Sequence, residues 1–229
     1  MQLFAEHLKD QPRPRILIVG SKPTFTHKDL GRFDLAFFAN GAIARHALFD
    51  SRLFFNVLVE SAYHQTGTVA QATWEQIKAA ESPNSIVVQS PAWTFKRWKG
   101  KPPLGGNLHK VSLREKRKVV IESLGLRWVL ASIWRLSRNL PHFHTEMARF
   151  LLRGQCSSMK PSTGVWTILL ARHIATQTGK PCEIVVSGIG LSNDGYAYAK
   201  AVNHRMKSHE IDPHVINRLL KVGVDFRDL

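Results

Sequence analysis

Short runs that are apolar at nearly every position, each closed by a small or polar residue, constrain this chain more than any other feature. Arg15-Ile-Leu-Ile-Val-Gly20, Phe33-Asp-Leu-Ala-Phe-Phe-Ala-Asn40, Arg52-Leu-Phe-Phe-Asn-Val-Leu-Val-Glu60, Asn84 to Gln89 and Glu183-Ile-Val-Val-Ser-Gly-Ile-Gly190 are rich in β-branched and aromatic residues. Most lack the strict polar–apolar alternation of a sheet with one wet face, so they read as strands buried on both sides. Trp74 to Ala80 reads as a helix between two of them, and a longer helix follows Lys160. Strands alternating with helices predict an α/β fold: a doubly wound, mostly parallel sheet in a single Rossmann-like nucleotide-binding domain. In such a sheet ligands gather at the carboxyl ends of the strands.

The stretch from Lys160 to His209 holds the densest set of signals. Pro161 suits the edge of a helix, and Ser162 or Thr163 can cap the free amides of its first turn. Val165 to Ala175 is apolar nearly all round, and Gly179-Lys-Pro181 is a glycine-then-proline stop. After the strand that follows, the loop Ser192-Asn-Asp-Gly-Tyr196 falls at a carboxyl end, which places Ser192 and Tyr198 at an expected active site.

Gly20 and Ser21 open a turn after the first strand, where small residues let backbone amides approach a phosphate or sugar. A strand-end glycine without a ligand role reads the same way, and the G-x-G-x-x-G dinucleotide fingerprint is absent. Asn40 closes the second strand, and its amide can donate and accept, which suits a cytosine edge or a sugar hydroxyl. Asn40-Gly41 is equally a turn-forming pair.

Charge is concentrated in one place. Residues 93–160 carry fifteen Lys and Arg against three Glu, twelve of the chain's fifteen net positive charges. TFKRWKGKPPLGGNLHK, with two prolines and three glycines, reads as an exposed connection of the kind that forms lids. Ser112 to Leu124, Trp128 to Arg138 and Glu146 to Arg153 then read as helices. Basic residues interleaved with Trp93, Trp98, Trp128 and Trp134 suit nucleic acid, an anionic membrane surface or an acidic ligand, and equally a solvated basic face.

Other classes are disfavoured. The two cysteines, Cys156 and Cys182, make no disulfide framework, and a reducing, cytoplasmic compartment fits them. The N-terminal residues do not resemble a signal peptide, and no apolar run is long enough to span a bilayer. An Asp-x-Asp motif is absent, so a metal-independent reaction with no cofactor is expected. His142, His144, His209 and His214 have no helix-borne ligand spacing. Ser187 and Ser192 lack the G-x-S-x-G context of a nucleophile elbow. Asp212-Pro213 reads as a helix N-cap with proline at the first position.

The Ser162-Thr-Gly-Val-Trp166 opening, the apolar helix, the strand ending Ser187-Gly-Ile189, the Asn-Asp-Gly loop and the following His209 together resemble the small bacterial sialyltransferases. Those are inverting glycosyltransferases that use CMP-sialic acid. The resemblance implies His209 as catalytic base and Tyr198 as a hydroxyl holding the leaving phosphate, with Tyr196 an alternative and His204 the runner-up base. It implies a donor site formed by Gly20, Ser21, Asn40, Lys160, Ser162, Thr163, Gly164, Ser187, Gly188 and Ser192. Ser192 stands where the family has its first phosphate tyrosine, and Lys160 where it has an arginine.

By that analogy residues 1–92 and 160–229 are two parts of one nucleotide-binding domain. Residues 93–159 then form a basic lid facing an anionic glycan or glycolipid acceptor, with the protein at the inner membrane face. Sialic acid and Kdo both fit as the CMP-linked donor sugar. The rival from a different class is a basic α/β protein that grips nucleic acid through residues 93–160.

Overall fold

The computed structural model describes residues 2–23, 25–26, 28–59, 70–80, 84–88, 108–137, 143–153, 161–189 and 211–227. Seven strands form one sheet: β1 (Arg15–Val19), β2 (Leu35–Ala39), β3 (Phe54–Val59), β4 (Ser85–Val88), β5 (Leu108–Val111), β6 (Glu183–Ser187) and β7 (Asp225–Phe226). Their order is β5-β4-β3-β2-β1-β6-β7, and every pairing is parallel. The sheet therefore grows outward from β1 in one direction, then restarts on its other side at β6. The fold is a doubly wound α/β domain, and its topological switch point lies between β1 and β6.

Both faces are covered, which is why the central strands are apolar throughout. On one face Ile16, Ile18, Phe37, Phe55, Val57 and Ile86 pack in one core cluster. The helices over it are α1 (Gln2–His7), α3 (Leu113–Leu124), α4 (Leu126–Ser137), α5 (Phe143–Arg153), α6 (Thr163–Thr178) and α7 (Asp212–Leu220). On the other face Leu17, Val19, Phe38, Leu58 and Val87 meet Ile43, Trp74 and Ile77. Those three belong to a 3-10 segment (Asn40–Leu48) and to α2 (Ala70–Ala79).

α6 is the central helix of its face. Val165 to Ala171 are all buried, as the run apolar on all sides requires. Each fully buried Ile or Leu there adds about 2 kcal/mol of transfer free energy, so packing rather than intrinsic propensity holds the helix. Ser162 caps it by accepting from the Val165 amide, and Gly179 ends it in the left-handed region at φ 67. α3 opens with a full capping box between Ser112 and Glu115.

One helix was not read from the sequence, and two expectations change. The chain from Gln2 to His7 is helical, because Phe4 and Leu8 bury against the sheet, with Phe4 edge-on to Phe55 at 4.8 Å. Leu108–Val111 is a strand paired with β4, not part of an exposed connection. Val111, Val119, Val120, Leu124, Val129, Ile133 and Phe150 belong to the main core, so this part of the 93–159 segment is built into the domain. Asp212 is not an N-cap: Ile211 holds that position with no side-chain cap, and the Asp212 carboxylate turns elsewhere. No helix among the described residues is long and apolar enough to cross a membrane.

Candidate functional site

The carboxyl ends of β1 and β6 are joined to each other beyond the strands themselves. The Gly20 amide donates to Ser187 O at 2.8 Å, and the Lys22 amide to Gly188 O at 3.1 Å. This crossing needs two glycines. A Cβ on Gly20 would stand 2.1 Å from Gly188 O and 2.3 Å from Ile189 Cγ1, and Gly188 itself sits at φ +66. The bare backbone of the Gly20–Ser21 turn is thus forced up against the switch point, where an α/β sheet leaves its ligand crevice.

α6 reaches the same edge. Its C-terminus leads through a short turn into the start of β6, so its N-terminus stands at the carboxyl end of the sheet. A Cβ on Gly164 would come 3.2 Å from Ile189 Cδ1, so the Ile189 side chain stands between the first turn of α6 and Gly20. The helix start already has an anionic partner. The Ser162 amide donates to the Asp212 Oδ1 at 3.0 Å, where the expected cap of α7 has turned across to α6. With Ser162 Oγ engaged by the Val165 amide at 3.3 Å, two of the four free amides at this end of α6 are served by the chain's own groups. Thr163 begins the helix, and its carbonyl accepts from Thr167 Oγ1 at 2.7 Å.

On the β2 side the Ser21 hydroxyl, buried, donates to Ala39 O at 3.2 Å and draws the β1 turn toward Asn40. Asn40 adopts φ 54, a left-handed conformation asparagine tolerates better than most residues. Its carboxamide oxygen is buried and has no hydrogen-bond partner among the described residues. A buried acceptor in that condition costs about 1–3 kcal/mol unless something donates to it. Asn56, also buried without partners for its side-chain oxygen and nitrogen, lies inside β3 and not at the strand end.

Arg45 completes the group, and nothing in its sequence context marked it. The 3-10 segment folds back so that its guanidinium lies over the Phe25 ring, 4.0 Å from the centroid. Its Nη1 is 3.4 Å from Gly20 O. A permanent positive charge therefore stands at the glycine turn.

Gly20, Ser21, Asn40, Gly164 and Gly188 are thus brought to one edge. Ser187 is there too, but it is fully buried and its hydroxyl donates to Thr26 O at 2.6 Å, which makes it a strut between loops. Ser162 and Thr163 start α6 nearby. Lys160, Ser192, Tyr196, Tyr198, His204 and His209 lie outside the described residues. Among the described residues no three His, Cys, Asp or Glu side chains converge as metal ligands.

A separate concavity of about 320 Å³ opens beside edge strand β5, lined by Phe4, Ile86, His109 and Glu115 among others. Among its polar groups, Glu115 accepts from the Ser112 amide at 2.8 Å, and burial pushes the His109 imidazole below its usual pKa. No family model matches the chain, and neither a curated protein nor a solved structure matches it.

Proposed function

We propose that this chain is an inverting glycosyltransferase that moves a sialic-acid-like sugar from a CMP-activated donor to a hydroxyl of a glycan or glycolipid. The observation that carries the proposal is Asn40. Its buried carboxamide oxygen has no partner among the described residues, and Asn40 directly follows Ala39, whose carbonyl holds the Gly20–Ser21 turn at the edge where a doubly wound sheet takes nucleotides. An acceptor so placed suits the exocyclic amine of cytosine or a ribose hydroxyl, both of which donate.

Arg45 suits the phosphate. Its guanidinium supplies positive charge where negative charge grows as the CMP oxygen leaves the anomeric carbon. The phosphate is assigned to this turn and not to the start of α6, because Asp212 already occupies that helix end. In the transfer step, the acceptor oxygen bonds to the anomeric carbon as the bond to the CMP oxygen breaks. The acceptor proton passes to the His209 imidazole, and the Tyr198 hydroxyl donates to the departing phosphate.

The test is CMP release from a panel of CMP sugars, CMP-sialic acid and CMP-Kdo included, in the presence of glycolipid extracts. Acceptor-dependent release from one donor supports the proposal and identifies the sugar. No release from any donor, with a polynucleotide bound in a salt-sensitive way instead, supports a nucleic-acid-binding protein.

A further inference from the structure

Six large apolar side chains are exposed among the described residues, and four of them lie on α4 and α5: Leu126, Trp134, Leu151 and Leu152, the last 78% exposed. On α4 the exposure follows the helix. Leu126, Leu130 and Trp134 stand four residues apart in one row, Leu130 half-buried and the others exposed. Arg127, Ala131 and Arg135 form the exposed row beside it. α4 contains no acidic residue. The one acid of α5, Glu146, is buried, with Arg149 3.0 Å away. Arg117 of α3 reaches the Leu151 carbonyl, tying the exposed end of α5 to the basic face of its neighbour.

We infer that the outer face of α4 and α5 docks the protein onto an anionic lipid bilayer. An apolar row alongside a cationic row, with no exposed carboxylate on either helix, matches the lipid–water boundary. Leucine and tryptophan enter the acyl margin, while guanidinium groups meet lipid phosphates. Aliphatic side chains as exposed as Leu151 and Leu152 gain nothing from a polynucleotide backbone, and Trp134 stands edge-on to Phe143 at 4.8 Å with most of its surface still open. The inference does not depend on the transferase proposal, since it involves neither the switch point nor a nucleotide.

The experiment is flotation of the full chain with vesicles of mixed phosphatidylglycerol and phosphatidylcholine, against vesicles of phosphatidylcholine alone. Partitioning onto the anionic vesicles only is expected. Arg127→Ala with Arg135→Ala should weaken it about fivefold for each cation removed. Trp134→Ser should weaken it roughly tenfold, and Leu152→Ser, at a side chain with almost no packing to lose, serves as the variant that leaves folding intact. Equal partitioning onto phosphatidylcholine, no partitioning, or wild-type partitioning by both serine variants overturns the inference. So does concentration-dependent self-association, or binding of an oligonucleotide, that these same substitutions abolish while vesicle binding is absent.

Discussion

Gly20 and Gly188 meet across the switch point so closely that a single added methyl group on Gly20 would lie 2.1 Å from the Gly188 carbonyl oxygen. Backbone stands on one side of this contact and backbone on the other, so neither residue can yield by a rotamer change. The close approach holds the ends of β1 and β6 together.

Gly20→Ala is therefore expected to cost about 3 kcal/mol, at the upper end of what overpacking costs. Gly188→Ala is expected to cost about 1 kcal/mol, from its left-handed φ. Urea denaturation of the two variants measures this. Equal, small losses would mean that the loops separate without penalty.

Under the proposed function, Arg45 reads phosphate and not base. Arg45→Ala should weaken CMP binding by roughly tenfold, the value of one charge-assisted contact, and leave cytidine binding unchanged. Calorimetric titration with each ligand separates the two. A matching loss for cytidine would assign Arg45 to shaping the turn through Phe25 and Gly20.

Asp212 links the starts of α6 and α7 through the Ser162 amide, at a sequence distance of fifty residues. Asp212→Ala leaves that amide unpaired and should lower stability by about 1–2 kcal/mol, with Asp212→Asn costing less because it keeps an acceptor. CMP affinity should be unchanged in Asp212→Asn. A clear gain in affinity would place the phosphate at α6, where the native carboxylate repels it.

His173, on α6, is only 2% exposed, and its Nδ1 lies 2.9 Å from Glu122 Oε2. Burial pushes its pKa below the usual histidine value, with Lys118 adding to the effect and Glu122 opposing it. The unfolded chain then binds a proton that the folded chain refuses, between the usual value near 6.5 and the lower folded value. Stability should be full above that usual value and fall as pH drops through it. Replacing His173 by Gln should flatten the acid side of a plot of urea midpoint against pH. An unchanged slope would assign the acid sensitivity to other groups.

The central strands were legible because burial on both faces demands uninterrupted β-branched and aromatic runs, and β1, β2, β3, β4 and β6 each carry one. β5 was not, because Leu108-His-Lys-Val111 is a short edge strand with an exposed lysine, inside a stretch rich in proline and glycine. α1 escaped notice because it is a helix of six residues ahead of two prolines. Gly20 and Asn40 were legible as strand ends, but the reason for each is tertiary: a backbone contact with Gly188, and a buried carboxamide oxygen. Arg45 and the Asp212–Ser162 bond left no local signal at all. One depends on a 3-10 segment folding back over β1, the other on two helices starting side by side.

Titration of CMP into the wild-type chain and into Asn40→Ala tests the switch-point site most directly. Saturable binding of one CMP per chain is expected, weakened about tenfold in the variant by loss of one buried hydrogen bond. No binding at millimolar CMP, or the same affinity in both proteins, would contradict a nucleotide held at the Gly20–Asn40 edge.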